Sequence, residues 1–470
     1  MNKLVGSVRE AVRLAGLRDG MTVSFHHHLR NGDFVLNLVM DAIAELGIRD
    51  LCVNASSLFD VHMPLLGHIE NKVVTSLAAD YIAAGLGRAI SYGAMEKPVE
   101  FRTHGGRPND IVLGRTPIDV AFIAAPAADP MGNCSGKYGP SACGSLGYAY
   151  ADAMYAKKVV VITDNLVPYP LCDWSISEDY VDYVVTVDAI GDPKGIVSGT
   201  TKITRDPVGL VMASHAAKVI EASGLLKDGF SFQTGAGGAS LAAAKFLKDI
   251  MLSKQIQGSF GLGGITGYMV DMLQAGCFRS LLDVQCFDLQ AVESLRTDPR
   301  HQEISAMHYA SPGARSAVVN SLDVVILGAT EIDTDFNVNV HTDSNGCIMG
   351  GSGGHSDTAA GAKLAMIIAP MFRARLPIVT DRVTCISTPG RDIDVLVTQG
   401  GIAVNPKNGE LKERLRSAGL PVTDIHELKE KTERITGTPR KPDKGDRVVA
   451  HVIGREGQLQ DCIYNVPRNK

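Results

Sequence analysis

A strand, a tight loop and a helix are written twice in this chain of 470 residues. The first copy runs Asp19-Gly20-Met21-Thr22-Val23-Ser24-Phe25 into His26-His27-His28-Leu29-Arg30-Asn31-Gly32. The second runs Asp228-Gly229-Phe230-Ser231-Phe232-Gln233-Thr234 into Gly235-Ala236-Gly237-Gly238-Ala239-Ser240. Asp-Gly makes a tight turn, and the β-prone run after it reads as a strand. The apolar spacing that follows predicts helices over 34–46 and 240–251. Loops between a strand and a helix are where open α/β sheets bind ligands. One loop holds three histidines and an arginine, the other only glycine and small residues. A shared frame with unlike loops predicts two half-sites that face each other.

The repetition continues down the chain. Asp119-Val120 followed by Asp129 and Asn133 returns as Asp323-Val324 followed by Asp333 and Asn337. Ile162-Thr163-Asp164 returns as Val379-Thr380-Asp381, and Val181-Asp182-Tyr183-Val184 as Ile393-Asp394-Val395-Leu396. The expected fold is therefore α/β: two tandem, similar domains with mainly parallel sheets, residues 1–200 and 201–470, joined within the Gly-, Pro- and Thr-rich stretch 192–207. Further strands are expected at 51–54, 73–77, 89–92, 99–103, 118–125, 159–164 and 183–187. An amphipathic helix is expected over 1–16, and a last strand at 448–453 after a charged linker.

Composition excludes several classes. A formal net charge of −5 argues against a chain that binds nucleic acid through bulk charge. No apolar run approaches the ~18–20 residues that span a bilayer. Nine cysteines, with no CxxC pair, fit a reducing cytoplasm better than a disulfide framework. Gly132-Asn133-Cys134-Ser135-Gly136-Lys137-Tyr138 falls short of a P-loop, and Gly235-Ala236-Gly237 fails at the third glycine of a dinucleotide fingerprint, so ATP and NAD are not supported. Adjacent histidines on an extended loop point to alternating sides. At most two of His26, His27 and His28 then share a face; a metal would need further ligands from elsewhere, such as His62, and nothing specifies one, so no metal is expected.

Two glycine loops and two cationic loops are the candidates for chemistry. Gly261-Leu262-Gly263-Gly264 can turn backbone N–H groups toward an oxyanion. Gly350-Gly351-Ser352-Gly353-Gly354-His355 formally contains G-x-S-x-G. With so many glycines that match is cheap, and a loop that clasps a thioester and its pantetheine arm is the preferred reading. His26, His27 and Arg30, with His104 and Arg107 around Gly105-Gly106, suit a polycarboxylate.

Together these stretches, with Glu331-Ile332-Asp333-Thr334, Phe336-Asn337-Val338-Asn339-Val340 and Gly401-Ile402-Ala403-Val404-Asn405-Pro406, resemble the alpha subunit of bacterial citrate lyase, within the coenzyme A-transferase superfamily. The resemblance covers nearly the whole chain. It implies exchange of acetate for citrate on an acyl carrier protein: acetyl-carrier plus citrate gives citryl-carrier plus acetate. The implied partners are that carrier (the gamma subunit, with a coenzyme A-like prosthetic arm) and a beta subunit that splits citryl-carrier, in an oligomeric assembly. Acetyl-coenzyme A is a surrogate donor. Members of that family often carry a charged leader; this chain begins almost at the first helix, so a contact by such a leader is not expected.

On this reading Gly263 and Gly264 serve the reaction, with Ser259 where related transferases carry a glutamate. His26, His27, Arg30, His104 and Arg107 hold citrate. Gln233, Gly235, Gly237, Asn337, Gly353, Gly354 and His355 hold the thioester and its arm. A serine without a paired His and Asp is a poor nucleophile, so no covalent enzyme intermediate is expected. The basic run Arg440, Lys441, Lys444 and Arg447 is a candidate contact for an acidic carrier. The alternatives are a transferase acting on free acyl-coenzyme A, or a non-catalytic sensor or scaffold on a related fold.

Overall fold

The computed structural model describes residues 3–197, 202–439 and 442–467. Two large sheets carry the chain. In space the first runs Leu4–Val5, Tyr183–Thr186, Lys158–Thr163, Val120–Ala124, Thr22–Phe25, Leu51–Ala55, Val74–Ala79, Val99–Phe101, Val448–Ile453 and Leu459–Tyr464. The second runs His301–Glu303, Phe278–Cys286, Gly258–Ile265, Ser231–Thr234, Val324–Leu327, Leu364–Ile368, Val395–Thr398, Gly401–Val404 and Val422–Thr423. Seven consecutive strands of one match seven of the other in order. The duplicated strand stands in each where the chain departs first to one side and later to the other. Pairing is parallel except at Val448–Ile453 with Leu459–Tyr464 and at Val395–Thr398 with Gly401–Val404. Central strands such as Val120–Ala124 and Val324–Leu327 are buried along their whole length, as parallel strands covered on both faces must be.

The repeated aspartates are explained by what they brace. Asp19 accepts the Arg49 N–H at 2.8 Å, and Asp228 accepts that of Gln257 at 3.0 Å. Asp119 takes the Thr22 N–H at 2.8 Å and the Lys157 ammonium at 2.7 Å; Asp323 takes the Ser231 N–H at 2.9 Å and Lys363 at 2.7 Å. In both halves these bonds fasten the duplicated strand, which delivers the loop behind it.

Four expectations need correction. Residues 89–92 end the helix Ala84–Ser91, because Leu86 and Ile90, one helical turn apart, both point into the core. Val379–Thr380 is not the counterpart of the strand before Asp164; it pairs with Glu331–Asp333 in a separate three-stranded sheet. The first residues form a short strand, Leu4–Val5, before the helix Val8–Leu14, rather than one helix. The last correction bears on the domain boundary at 201–470. The strand Val448–Ile453 pairs with Val99–Phe101, so the C-terminal hairpin completes the first sheet.

That hairpin also grips the second half. The Gln460 amide donates to the carbonyls of Ile386 (2.8 Å) and Ser387 (2.7 Å), and Asp461 accepts the Ile386 N–H at 2.7 Å. Of the basic run, Arg440 and Lys441 lie outside the described residues. Lys444 sits 5.7 Å from the centre of the Tyr464 ring. Arg447 donates to the carbonyls of Met95 and Glu96, which makes it a fold contact. Among the described residues no helix is long and apolar enough to cross a membrane, and no group of His, Cys, Asp and Glu is placed to hold a metal.

Candidate active site

The loops at the carboxyl ends of the two sheets meet. The Gln285 amide donates to the carbonyl of His27 at 2.7 Å. The His104 N–H donates to the carbonyl of Gly353 at 2.9 Å. Asp357 accepts from the Thr103 hydroxyl at 2.9 Å and from the Gly105 N–H at 2.8 Å. The cationic loops of the first half are thus bonded directly to the glycine loops of the second.

Arg30 stands in this seam at φ +52°. Its guanidinium carbon lies 5.3 Å from the Phe59 ring centre and 4.7 Å from that of Phe287. Among the described residues its guanidinium makes one hydrogen bond, to the Ile196 carbonyl at 3.3 Å. Among the described residues no carboxylate pairs with it, and burial depresses its pKa. A cation stacked on two aromatic faces and left without an anion is suited to an anionic ligand.

The histidines beside it are buried: His26, His27 and His28 are 6%, 3% and 2% exposed. Burial pushes the His26 imidazole down to about 4, against the pull of Asp152. It pushes His27 and His28 well below the ordinary value, helped by the neighbouring histidines. The three rings are therefore neutral. His27 bonds the Ser56 hydroxyl through Nδ1 at 2.7 Å, while both ring nitrogens of His26 and Nε2 of His28 have no hydrogen-bond partner among the described residues. The Tyr148 ring packs 4.5 Å from His27 and 4.5 Å from His104. His104 donates through Nδ1 to Asp80 at 2.9 Å.

Arg107 does not join Arg30. It is 2% exposed, makes two parallel bonds to Asp152 at 2.8 and 2.7 Å, and bonds Asn54 at 2.7 Å through Nε. Its charge is already matched, so it braces the His104 loop and, unlike Arg30, has a carboxylate partner.

The glycines divide into two kinds. A Cβ on Gly264 would stand 2.2 Å from the Phe287 ring, and one on Gly263, at φ +109°, 2.8 Å from the Gln233 side chain. Gly353 abuts His104, and a Cβ on Gly354 would meet the Tyr309 hydroxyl at 2.5 Å. Crowding at Gly263, Gly264 and Gly354, and a positive φ of +52° at Gly353, favour glycine at these four positions. The strand pairing skips one residue between Gly263 and Gly264, which bends that loop toward the seam. At Gly235 and Gly237 a Cβ would make only ordinary contacts, 3.7 Å or longer. These two open the helix Gly238–Ser253. Gln233 donates to Tyr309 at 2.9 Å, and its buried Oε1 has no partner among the described residues.

Three expected residues stand elsewhere. Ser259 lies near the start of its strand and donates to the Phe230 carbonyl at 3.3 Å. At a rise of about 3.3 Å per residue it is ~13 Å from Gly263. Asn337 closes a turn: it donates to Asp333 at 3.2 Å and accepts the Gly390 N–H at 2.9 Å. His355 spends both ring nitrogens on the fold, with Nε2 on the Gly328 carbonyl at 2.9 Å and Nδ1 on the Thr388 hydroxyl at 2.8 Å; burial holds it near 4. Neither Glu331 nor Glu293 offers a carboxylate to the seam. Glu331 accepts from Asn339 and Thr384, and Glu293 pairs with Arg296 on the surface. Residues that sequence reasoning missed are Phe59, Asp80, Tyr148, Gln285, Phe287 and Tyr309. Asp80 had a signal, an acidic residue at the carboxyl end of the strand Val74–Ala79. The aromatic residues had none.

Known proteins match this chain along its length. The family model described as "Citrate lyase, alpha subunit (CitF)" matches residues 1–466. The citrate lyase alpha chain of Klebsiella pneumoniae is 50% identical over 464 residues, 99% of this chain and 91% of that protein. That of Escherichia coli K12 is 48% identical over the same shares. The citrate lyase alpha subunit of Streptococcus mutans, solved in complex with citrate, superposes with a TM-score of 0.98 at 48% identity, over 100% of this chain and 92% of that one. The malonate decarboxylase alpha subunit of Acinetobacter baumannii, at 17% identity and a TM-score of 0.69 over 92% of this chain and 88% of its own, shares the fold. The chain belongs to the citrate lyase alpha subunit family.

Proposed function

We propose that this chain exchanges acetate for citrate on the thioester of an acyl carrier protein, with both substrates bound at once and no covalent enzyme intermediate. The observation that carries the reading is Arg30, a stacked guanidinium in the seam whose charge no described carboxylate matches. Citrate bound to the Streptococcus mutans relative supports the choice of anion. The donor's coenzyme A-like arm approaches by Gly235 and Gly237, where glycine is not demanded by packing. The reaction runs in the cytoplasm, within a complex that includes the carrier and a citryl-carrier lyase subunit.

The chemistry follows from charge. A citrate carboxylate is ionised at neutral pH and needs no base to become a nucleophile. It attacks the acetyl carbonyl; the oxyanion is met by N–H donors of the glycine loop. The C–S bond then breaks with its electron pair on sulfur, leaving a citric–acetic anhydride. The thiolate attacks the citryl carbonyl of that anhydride and acetate departs. Arg30 offsets the repulsion among the carboxylates and orients the acid.

The test has two arms. Arg30→Ala should reduce kcat/KM for citrate by ~10–200-fold, about 1.5–3 kcal/mol for a lost charged contact, while acetyl-donor binding is kept. Incubation with acetyl-coenzyme A in the absence of citrate, followed by hydroxylamine and mass spectrometry, should yield no modified side chain. A trapped glutamate would overturn direct transfer.

A further inference from the structure

We propose that His104, steered by Asp80, receives the departing thiolate, and that it is a catalytic residue at the thioester end of the site rather than a ligand of citrate. The inference rests on the exchange reaction proposed above. Backbone comes first. Thr103 and Gly353 form a parallel bridge, and the His104 N–H is bonded to the Gly353 carbonyl at 2.9 Å. The ring follows the backbone: Nε2 lies 3.2 Å from where a Cβ on Gly353 would be. His104 is thus built onto the glycine loop of the second half, whereas Arg30 is built onto Phe287.

The other nitrogen is already committed. Nδ1 is 2.9 Å from Asp80 Oδ2, and an ionised carboxylate can only accept, so Nδ1 carries the hydrogen. Any second proton on this ring must sit on Nε2, which faces the glycine loop. Asp80 is 1% exposed and its other oxygen has no partner among the described residues, so its charge is directed at the imidazole. None of the other cleft histidines has such a partner. His26 is 3.9 Å from Asp152, beyond hydrogen-bond reach, and His27 bonds a serine. The groups that face His104 are Asp80, the neutral His27 ring 5.5 Å away and Tyr148 at 4.5 Å. Arg107 and Asp357 act on this pair at longer range.

The step balances. When citrate's oxygen bonds the acetyl carbon and the C–S bond breaks, the electron pair goes to sulfur. A proton carried on Nε2 passes to that sulfur, and Asp80 holds the ring's orientation through Nδ1. When sulfur attacks the citryl carbonyl of the anhydride, the proton returns to Nε2, and acetate leaves as the anion. No proton is gained or lost over the cycle. Asp80 touches neither substrate and is a positioning residue.

The test uses the full chain, citrate as acceptor, and acetyl esters of pantetheine-length thiols graded from alkyl to aryl, so that the leaving thiol becomes steadily more acidic. Thiol release is followed. For His104→Gln the rate should fall at least 100-fold with the alkyl donor and less than 10-fold with the most acidic one, with KM for citrate unchanged within twofold. Asp80→Asn, nearly isosteric, should show the same tilt at a smaller amplitude. Near-ultraviolet circular dichroism establishes that both variants are folded. An equal loss with every donor, or a loss carried by KM for citrate, overturns the assignment and leaves the exchange reaction standing. A wild-type enzyme that moves no acetyl group to citrate from any donor overturns both.

Discussion

The two halves share a scaffold and differ in what they mount on it. Seven strands match in order, and the aspartates that fasten them match bond for bond. The turn at Asp129 and Asn133 is closed by an Asn N–H to Asp bond of 3.2 Å and an amide bond of 2.9 Å; at Asp333 and Asn337 the same bonds are 2.8 and 3.2 Å. Even the third partner matches, with Glu178 N–H on Asn133 at 2.9 Å and Gly390 N–H on Asn337 at 2.9 Å. The loops behind the switch-point strands have nothing in common. One carries the buried His26, His27 and His28 and the half-buried Arg30; the other is Gly235, Ala236 and Gly237. Repetition of a residue between halves therefore marks a brace, and departure from repetition marks a site.

The largest expected effect tests that rule at Arg107, a buried cation of the first half that is spent on Asp152. Arg107→Ala leaves Asp152 buried and uncompensated and should cost about 3–5 kcal/mol of stability, read by chemical denaturation. Arg30→Ala should change stability by less than about 1 kcal/mol, since among the described residues it breaks no ion pair and leaves no buried charge behind. Equal destabilisation by the two would erase the distinction between brace and ligand.

Acid should separate the halves next. A histidine whose folded pKa lies below its unfolded value of ~6.5 binds its proton less readily when folded. Above pH ~6.5 neither state holds the proton and stability is unaffected; as pH falls from there toward 4, the unfolded chain gains protons the folded one refuses, and stability is lost. His26 and His355 are held near 4, His341 near 3, and His27 and His28 well below 6.5, all chiefly by burial. Asp357, raised by burial to about 6, acts in the opposite sense between pH ~4 and 6 and offsets part of the loss. Tm should be flat above pH 7 and fall steadily between pH 6.5 and 4. His26→Gln and His28→Gln together should flatten that limb more than His341→Gln. A limb carried by His341 alone would put the acid-sensitive site in the wrong half.

Smaller effects sharpen the comparison. Gly264→Ala drives a methyl group into Phe287 and should cost about 1–3 kcal/mol along with thioester transfer, whereas Gly235→Ala should fold normally and weaken only binding of the donor arm. Asn133→Ala and Asn337→Ala should each cost about 1–2 kcal/mol, with activity kept wherever the variant is folded; a selective loss of activity at Asn337 would restore it to the site. Ser259→Ala should change stability by less than about 0.5 kcal/mol and turnover by less than twofold in steady-state assays.

Much of this was legible in the chain because repetition needs no tertiary information. Asp19 and Asp228, or Asn133 and Asn337, announce a duplicated frame by themselves, and Arg30 is conspicuous among histidines. Whether a cation is spent was not legible. Arg30 and Arg107 look alike in sequence, and only Asp152, brought in from a distant helix, tells them apart. Ser259 was placed by likeness to the glutamate stretch of related transferases, while strand pairing runs from Gly258 on through Gly261 and Leu262 and leaves Ser259 near the strand's start. Phe59, Tyr148 and Phe287 are ordinary aromatic residues until the seam assembles, and the match of Val379-Thr380-Asp381 to Ile162-Thr163-Asp164 was a coincidence of short β-prone runs.

The C-terminal hairpin has a consequence for how the chain is made. Once residue 186 has left the ribosome, eight of the ten strands of the first sheet exist, yet Val99–Phe101 presents a bare row of N–H and C=O groups. Its neighbour, Val448–Ile453, is synthesised last. Throughout translation of the whole second half the nascent first sheet carries an open edge, the kind of surface on which strands of other chains pair. Closing it requires a contact more than 300 residues long in sequence, which is slow because so long a loop must be closed first. A truncation that removes 448–467 should therefore be recovered as aggregate from cells, even though both glycine loops and both cationic loops remain encoded.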